Sequence, residues 1–132
     1  MISIKKDILN QIIAHAKKDL PNEACGYLAG NDDLITNSYQ LTNVDHSPEH
    51  FSFDPSEQFT AVKDARNKGL QILANYHSHP ETPSRPSQED IRLAYDPAIG
   101  YVIISLADAE PVVKSFRIKG GSATNEDLIV TD

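Results

Sequence analysis

Leu70-Gln71-Ile72-Leu73-Ala74-Asn75-Tyr76-His77-Ser78-His79-Pro80 is the stretch from which fold and chemistry can both be read. Leu70 to His77 is largely apolar, as a central strand covered on both faces would be. Alternate residues of a strand share a face, so His77 and His79 point the same way, about 7 Å apart along the chain. Pro80 ends the strand directly after the second imidazole and leaves both rings at a rim that a ligand can approach.

Six residues further on, Ser87-Gln88-Glu89-Asp90 admits two readings. A serine followed three positions later by an acidic residue is a capping box that starts a helix, and Pro86 is a common flank for one. The same helix start can turn the Asp90 carboxylate toward the end of the preceding strand. Two imidazoles and a carboxylate then make a three-ligand site for Zn²⁺ with the fourth position open, as catalytic zinc sites have. The readings are compatible, because a cap can fix the turn that presents the ligand.

Working outward, Ser3 reads as the N-cap of a first helix reaching about Lys18, with Ile4, Ile8, Ile12 and Ala16 recurring every four residues. Pro21 and Asn22 end it. Glu23 to Gly30 reads as a strand, Asn31-Asp32-Asp33 as a turn and Leu34 to Val44 as the second strand of a hairpin. Phe51-Ser52-Phe53 alternates like a short strand. Asp54-Pro55-Ser56-Glu57 joins an N-cap, a proline at the first helical position and an acidic first turn. That helix ends at Gly69 and is expected to turn Phe59, Val62 and Ala65 inward. Downstream come a short helix from Ser87 to about Leu93, strands over Tyr101–Leu106 and Val112–Ile118, and Leu128-Ile129-Val130 as an edge strand. The order implies an α/β fold, a single mixed β-sheet flanked by helices, forming one domain over 1–132.

The chain has 132 residues and a formal net charge of −7. Its 12 basic residues are scattered, which argues against a nucleic-acid footprint. Apolar runs such as Tyr101-Val102-Ile103-Ile104 are far too short to span a bilayer. Lys5, Lys6 and Asp7 fall where the apolar core of a signal peptide would sit, so a cytoplasmic location is the expectation. The single cysteine, Cys25, excludes an intramolecular disulfide and a thiolate cage, so imidazole and carboxylate must hold any metal. Cys25 itself is expected to be a small buried hydrophobe, with a redox or nucleophilic role as the alternative. His15, His46 and His50 lack ligand-like spacing and read as surface or capping residues. Gly120-Gly121 reads as a turn, and Ser84 and Arg85 lie in the loop between the candidate ligands, where substrate could touch them.

The pattern H-x-H-P-x6-S-x-x-D, with Pro21-Asn22-Glu23-Ala24-Cys25-Gly26 upstream, resembles the JAMM (MPN+) metallopeptidases from Leu20 to about Arg117. The small stand-alone prokaryotic members are most similar. The resemblance implies an MPN-type fold, whose layout is broadly that of the cytidine deaminases, and zinc-dependent hydrolysis of a peptide or isopeptide bond. It implies His77, His79 and Asp90 as zinc ligands, Ser87 as the hydroxyl that stabilises the tetrahedral intermediate, and Glu23 as general base. It also implies a protein substrate, ubiquitin-like or a sulfur carrier with the ubiquitin fold. From its own neighbours alone Glu23 reads as a surface glutamate after a helix stop.

Larger relatives carry insertions that this chain lacks, so a ubiquitin-chain clamp is not expected. A non-catalytic MPN-like scaffold would have lost one or more ligands, whereas all five positions are filled. A zinc nucleoside deaminase needs a pair of cysteine ligands, and an amidohydrolase barrel opening with H-x-H needs about 250 residues.

Overall fold

The elements of the computed structural model, which describes residues 1–132, run β1 (Ile2–Lys5), α1 (Lys6–Lys18), β2 (Cys25–Asn31), β3 (Leu34–Leu41), α2 (Pro55–Asn67), β4 (Gln71–His79), α3 (Gln88–Arg92), β5 (Gly100–Ser105), β6 (Val112–Lys119), β7 (Ser122–Glu126) and β8 (Leu128–Thr131). All eight strands join one sheet in the order β7-β6-β5-β4-β2-β3-β1-β8. β4 pairs antiparallel with β2 and parallel with β5, so it is central in a mixed sheet, as its apolar run implied. β2 and β3 form the expected hairpin, with Asp32 and Asp33 taking positive φ in its turn.

The two faces of β4 meet different partners. Ala74 and Tyr76 join Ile8, Ile12 and Ala16 of α1 in the largest core cluster, together with Leu28, Val102 and Ile104. Asn75, His77 and His79 face the side carrying α2 and α3. There Cys25, Leu41 and Ala61 pack as one small cluster and Tyr101, Ile103, Phe116 and Ile118 as another. A β-carbon on Gly26 would collide with the Tyr39 carbonyl oxygen and the Tyr76 ring, so only glycine lets β2 lie this close to them.

Several expectations need correction. Ser3 does not cap α1: it lies inside β1, and Lys5 precedes the helix without a side-chain cap. Buried Ile2 and Ile4 alternate with half-buried Ser3 and Lys5, a period of two that overlaps the four-residue stripe beginning at the same Ile4. Phe51-Ser52-Phe53 forms no strand, only an isolated bridge from Phe53 to Asn43. β3 stops at Leu41, short of Val44. Phe59 is 70% exposed, because Gln58, Ala61, Val62 and Ala65 are the stripe of α2 that faces the sheet. β7 was not foreseen; its residues Ser122 to Glu126 alternate without an apolar face. β8 is an edge strand as expected, paired parallel with β1.

His15 is also corrected. It is buried, since it falls on the stripe of Ile8, Ile12 and Ala16. Its Nδ1 is 2.7 Å from the Tyr76 hydroxyl and its Nε2 is 3.1 Å from Asp19 Oδ2, so the imidazole ties α1 to the central strand. His46 and His50 are exposed, as expected.

Candidate metal centre

β4 ends at His79, and its register against β5 pairs His77 with Ile103 and His79 with Ser105. The chain then loops through residues 80–86, and Ser87 caps α3. Both halves of the capping box form: Asp90 N–H donates to Ser87 Oγ (3.0 Å) and Ser87 N–H donates to Asp90 Oδ2 (2.9 Å). That same Oδ2 lies 3.1 Å from His77 Nε2 and 3.1 Å from His79 Nε2, and the two Nε2 atoms are 3.2 Å apart. Capping and convergence on the histidines are thus properties of one carboxylate.

The three atoms form a nearly equilateral triangle that could hold a metal ion. Donors 2.0–2.1 Å from a tetrahedral zinc would stand about 3.3 Å apart, so the spacing fits. The tautomer of His79 fits as well. Its Nδ1 is 2.9 Å from the Pro83 carbonyl oxygen, which can only accept, so Nδ1 carries the proton and Nε2 presents its lone pair. Phe51 stacks on the His77 ring with centroids 4.8 Å apart and backs it against the sheet. Burial works against charge on both His79 and Asp90, but their contact overrides it. His79 is held above its ordinary value by Asp90 and the Pro83 carbonyl, and Asp90 well below its own by the two histidines. The triangle is therefore an acceptor set that favours positive charge at its centre.

Glu23 is buried beside this group, not exposed as its neighbours alone would suggest. Its backbone is clamped: its N–H donates to Ser47 O (2.8 Å) and its carbonyl accepts from Asn43 Nδ2 (3.0 Å). Asn43 also bonds the carbonyl of His50 (3.1 Å), stapling the whole 43–50 loop over Glu23. The next residue, Ala24, bonds Ser78 twice, N–H to Oγ at 2.8 Å and O from N–H at 3.0 Å. Ser78, the residue between the histidines, thus locks the segment carrying Glu23 onto the strand carrying the imidazoles. Glu23 Oε1 is buried and has no partner. Burial pushes this carboxyl up to about 8; His79 draws it down, while Asp90, Glu89 and Glu49 add to the rise.

The remaining candidates are dispersed. Cys25 is fully buried against Leu41 and Ala61, and burial pushes its thiol up to about 12, so it packs as a hydrophobe. The Ser84 hydroxyl is buried and donates to the Val112 carbonyl, a structural role, while Arg85 is exposed. Gly120 and Gly121 make the positive-φ turn between β6 and β7. Ser78, Asn43 and Phe51 had no local signal in the sequence, because their partners are 54, 20 and 26 residues away.

A mixed α/β sheet that presents two imidazoles from a strand end and a carboxylate from a capped helix start is the layout of an MPN-type domain. The chain belongs to the prokaryotic homologs of the JAB domain, whose family model matches residues 5–119. The resemblance read from the sequence is borne out. The CysO-cysteine peptidase of Mycobacterium tuberculosis is 36% identical, in an alignment covering 100% of this chain and 92% of that protein. A desampylase of Haloferax volcanii is 32% identical over 79% of this chain and 80% of its own length. Among solved structures, a Desulfitobacterium hafniense protein superposes with a TM-score of 0.92 at 51% identity, covering 100% of this chain and 94% of its own. No helix is long and apolar enough to cross a membrane.

Proposed function

We propose that this chain is a zinc-dependent peptidase that cleaves a peptide or isopeptide bond at the C-terminus of a ubiquitin-like or sulfur-carrier protein. The observation that carries the reading is the triangle of His77 Nε2, His79 Nε2 and Asp90 Oδ2, three acceptor atoms 3.1–3.2 Å apart at an open strand end. The substrate class is supported by relatives named for cleaving CysO-cysteine and for desampylation.

A zinc ion held by His77, His79 and Asp90 would supply Lewis acidity, lowering the pKa of water and polarising the scissile carbonyl. Glu23 takes a proton from the attacking water on its carboxylate and returns it to the leaving amine. Its elevated pKa suits both halves of that task, and a neighbouring cation draws the value toward neutrality. The Ser87 hydroxyl uses a lone pair to accept from Asp90 N–H and keeps its own proton to donate to the developing oxyanion. Such a donor is worth about 3 kcal/mol of barrier. His79 and Asp90 are held in orientation by Pro83 O and Ser87 N–H, so neither must reorganise during the reaction.

The test is metal analysis of the purified protein, followed by incubation with ubiquitin-like sulfur-carrier conjugates with and without a chelator. Equimolar zinc and chelator-sensitive release, read by mass spectrometry, are expected. His77→Ala should lose both the metal and the activity. Equimolar zinc with no release of any conjugate would indicate a binding scaffold instead, and activity that survives metal removal would sink the reading.

A further inference from the structure

Ser105 has had no role so far. It closes β5, whose Val102 and Ile104 face the α1 side while Tyr101 and Ile103 face the other. The parallel register sets Tyr101, Ile103 and Ser105 beside Asn75, His77 and His79, so Ser105 neighbours the second histidine on the same face. A hydroxyl here interrupts an apolar row, and it is buried. Both of its capacities are used: it accepts from Ala107 N–H (3.2 Å) and donates to the Thr82 carbonyl (2.6 Å). The accepted bond is a local turn of the kind a serine makes at many strand ends. The donated bond is different, because it reaches 23 residues back into the loop that follows His79.

That loop holds the His79 ring. Its Nδ1 lies 2.9 Å from the Pro83 carbonyl oxygen, so whatever aims this carbonyl aims the imidazole. A loop carbonyl swings with its peptide plane unless the torsions leading to it are fixed. Thr82 O belongs to the peptide unit that enters Pro83, and Ser105 fixes that unit. The proline ring fixes the next torsion, with φ near about −65°. One soft torsion remains before the Pro83 carbonyl, and Ser84 restrains it from the far side by donating its hydroxyl to the Val112 carbonyl. At the start of the loop, Leu106 N–H donates to His79 O (3.1 Å), so β5 and the residue after it grip the stretch from His79 to Thr82 at both ends. His77 Nδ1 has no partner, so hydrogen-bonded orientation of the imidazole pair rests on His79 alone.

We propose that Ser105 is a positioning residue for the metal centre: its hydroxyl, through Thr82 O, sets the direction of the Pro83 carbonyl and with it the orientation and tautomer of His79. The inference rests on the proposed metal site. Imidazoles that ligate metals are normally held through their second nitrogen, and loss of the holding group costs about 10–100-fold in metal affinity. Ser105 acts one step further out, on the carbonyl's own support. It touches none of the three ligand atoms and takes part in no proton transfer.

The test compares Ser105→Thr, which keeps the hydroxyl, with Ser105→Val, which has nearly the same shape without it. Ser115→Ala is the control: Ser115 is buried on β6 beside Val102, on the face away from the ligands, and donates to Glu126 Oε1 (3.1 Å). Zinc affinity is read by competition with a chromophoric chelator. Hydrogen exchange of the His79 Nδ1–H is read by NMR of histidine-labelled protein, zinc-loaded and metal-free. In Ser105→Val the zinc Kd should weaken about 10-fold or more and Nδ1–H should exchange about tenfold faster, while Ser105→Thr and Ser115→Ala stay within about threefold of the unaltered protein. Equal values in the Val and Thr variants overturn the positioning role and leave the metal site standing. Equal weakening in Ser115→Ala overturns it too, since lost stability then explains the effect. A change in one readout without the other also overturns it, because the route runs from hydroxyl through imidazole to metal. If Ser105→Val does not fold, Ser105→Ala takes its place. If the unaltered protein binds no zinc, the hydrolase reading falls, and exchange in the metal-free proteins decides: faster in Val than in Thr supports the role of Ser105, and equal rates overturn it.

Discussion

On the face of β4 that α1 covers, Tyr76 and Ser78 are completely buried and each has its partner, His15 for one and Ala24 for the other. On the opposite face, Asn75 and His77, with Glu23 on the neighbouring segment, hold every buried side-chain atom that lacks a partner. One strand therefore carries a finished surface and an unfinished one. Polar groups in a folded interior are normally satisfied, so unsatisfied ones collected on a single side mark where something else is meant to bind. The finished face holds the strand still; the unfinished face leaves its hydrogen-bonding capacity for a metal and a substrate.

The comparison can be broken from either side. On the unfinished face, Glu23→Gln keeps the shape and removes the base. Hydrolysis should fall by about 10²–10⁴-fold while zinc stoichiometry is unchanged. Activity retained in that variant would refute the general-base role. Ser87→Ala removes a donor and a cap together. We expect a loss of about 10²-fold in kcat and about 1 kcal/mol of stability, read by turnover and by urea denaturation. A variant losing stability alone would leave Ser87 as a cap and nothing more.

On the finished face the signature reverses. Tyr76→Phe keeps the buried ring but strands His15 Nδ1, which should cost about 1–3 kcal/mol of unfolding free energy. Bound zinc should stay the same. The smallest effect concerns pH. Burial holds His15 below its ordinary value of 6.5, with Asp19 pulling the other way. A histidine whose folded pKa lies below its unfolded one contributes stability above the unfolded value, and that contribution is lost as pH falls through the folded value. Stability of the unaltered protein should thus decline below about pH 6.5 more steeply than that of His15→Gln. Parallel pH curves would remove His15 from the account.

Legibility in the sequence follows the reach of each interaction. β4, its stop at Pro80 and the capping box at Ser87 are local patterns, and they were readable because a strand's period and a cap's spacing are set by neighbours. The hairpin of β2 and β3 was readable for the same reason. Glu23 came only through the family resemblance, since its neighbours say nothing of the metal group. β1 was hidden because Ile4 serves a strand and a helical stripe at once. His15 lies on the local apolar stripe of α1, which signals burial, but the partner that satisfies its ring, Tyr76, lies 61 residues away. β7 offered no apolar alternation by which to find it.

Ser78 occupies the unremarked middle position of H-x-H, yet it makes the two bonds that hold the Glu23 segment against the strand. The motif is for that reason not portable. Grafted onto the end of another strand, His77, His79 and Asp90 would carry their own geometry with them. Without a backbone for Ser78 to grip on the adjoining rim, the graft would be a metal trap with no base beside it. A designer who wants the chemistry must transplant the seam between two strands, not the five letters that announce it.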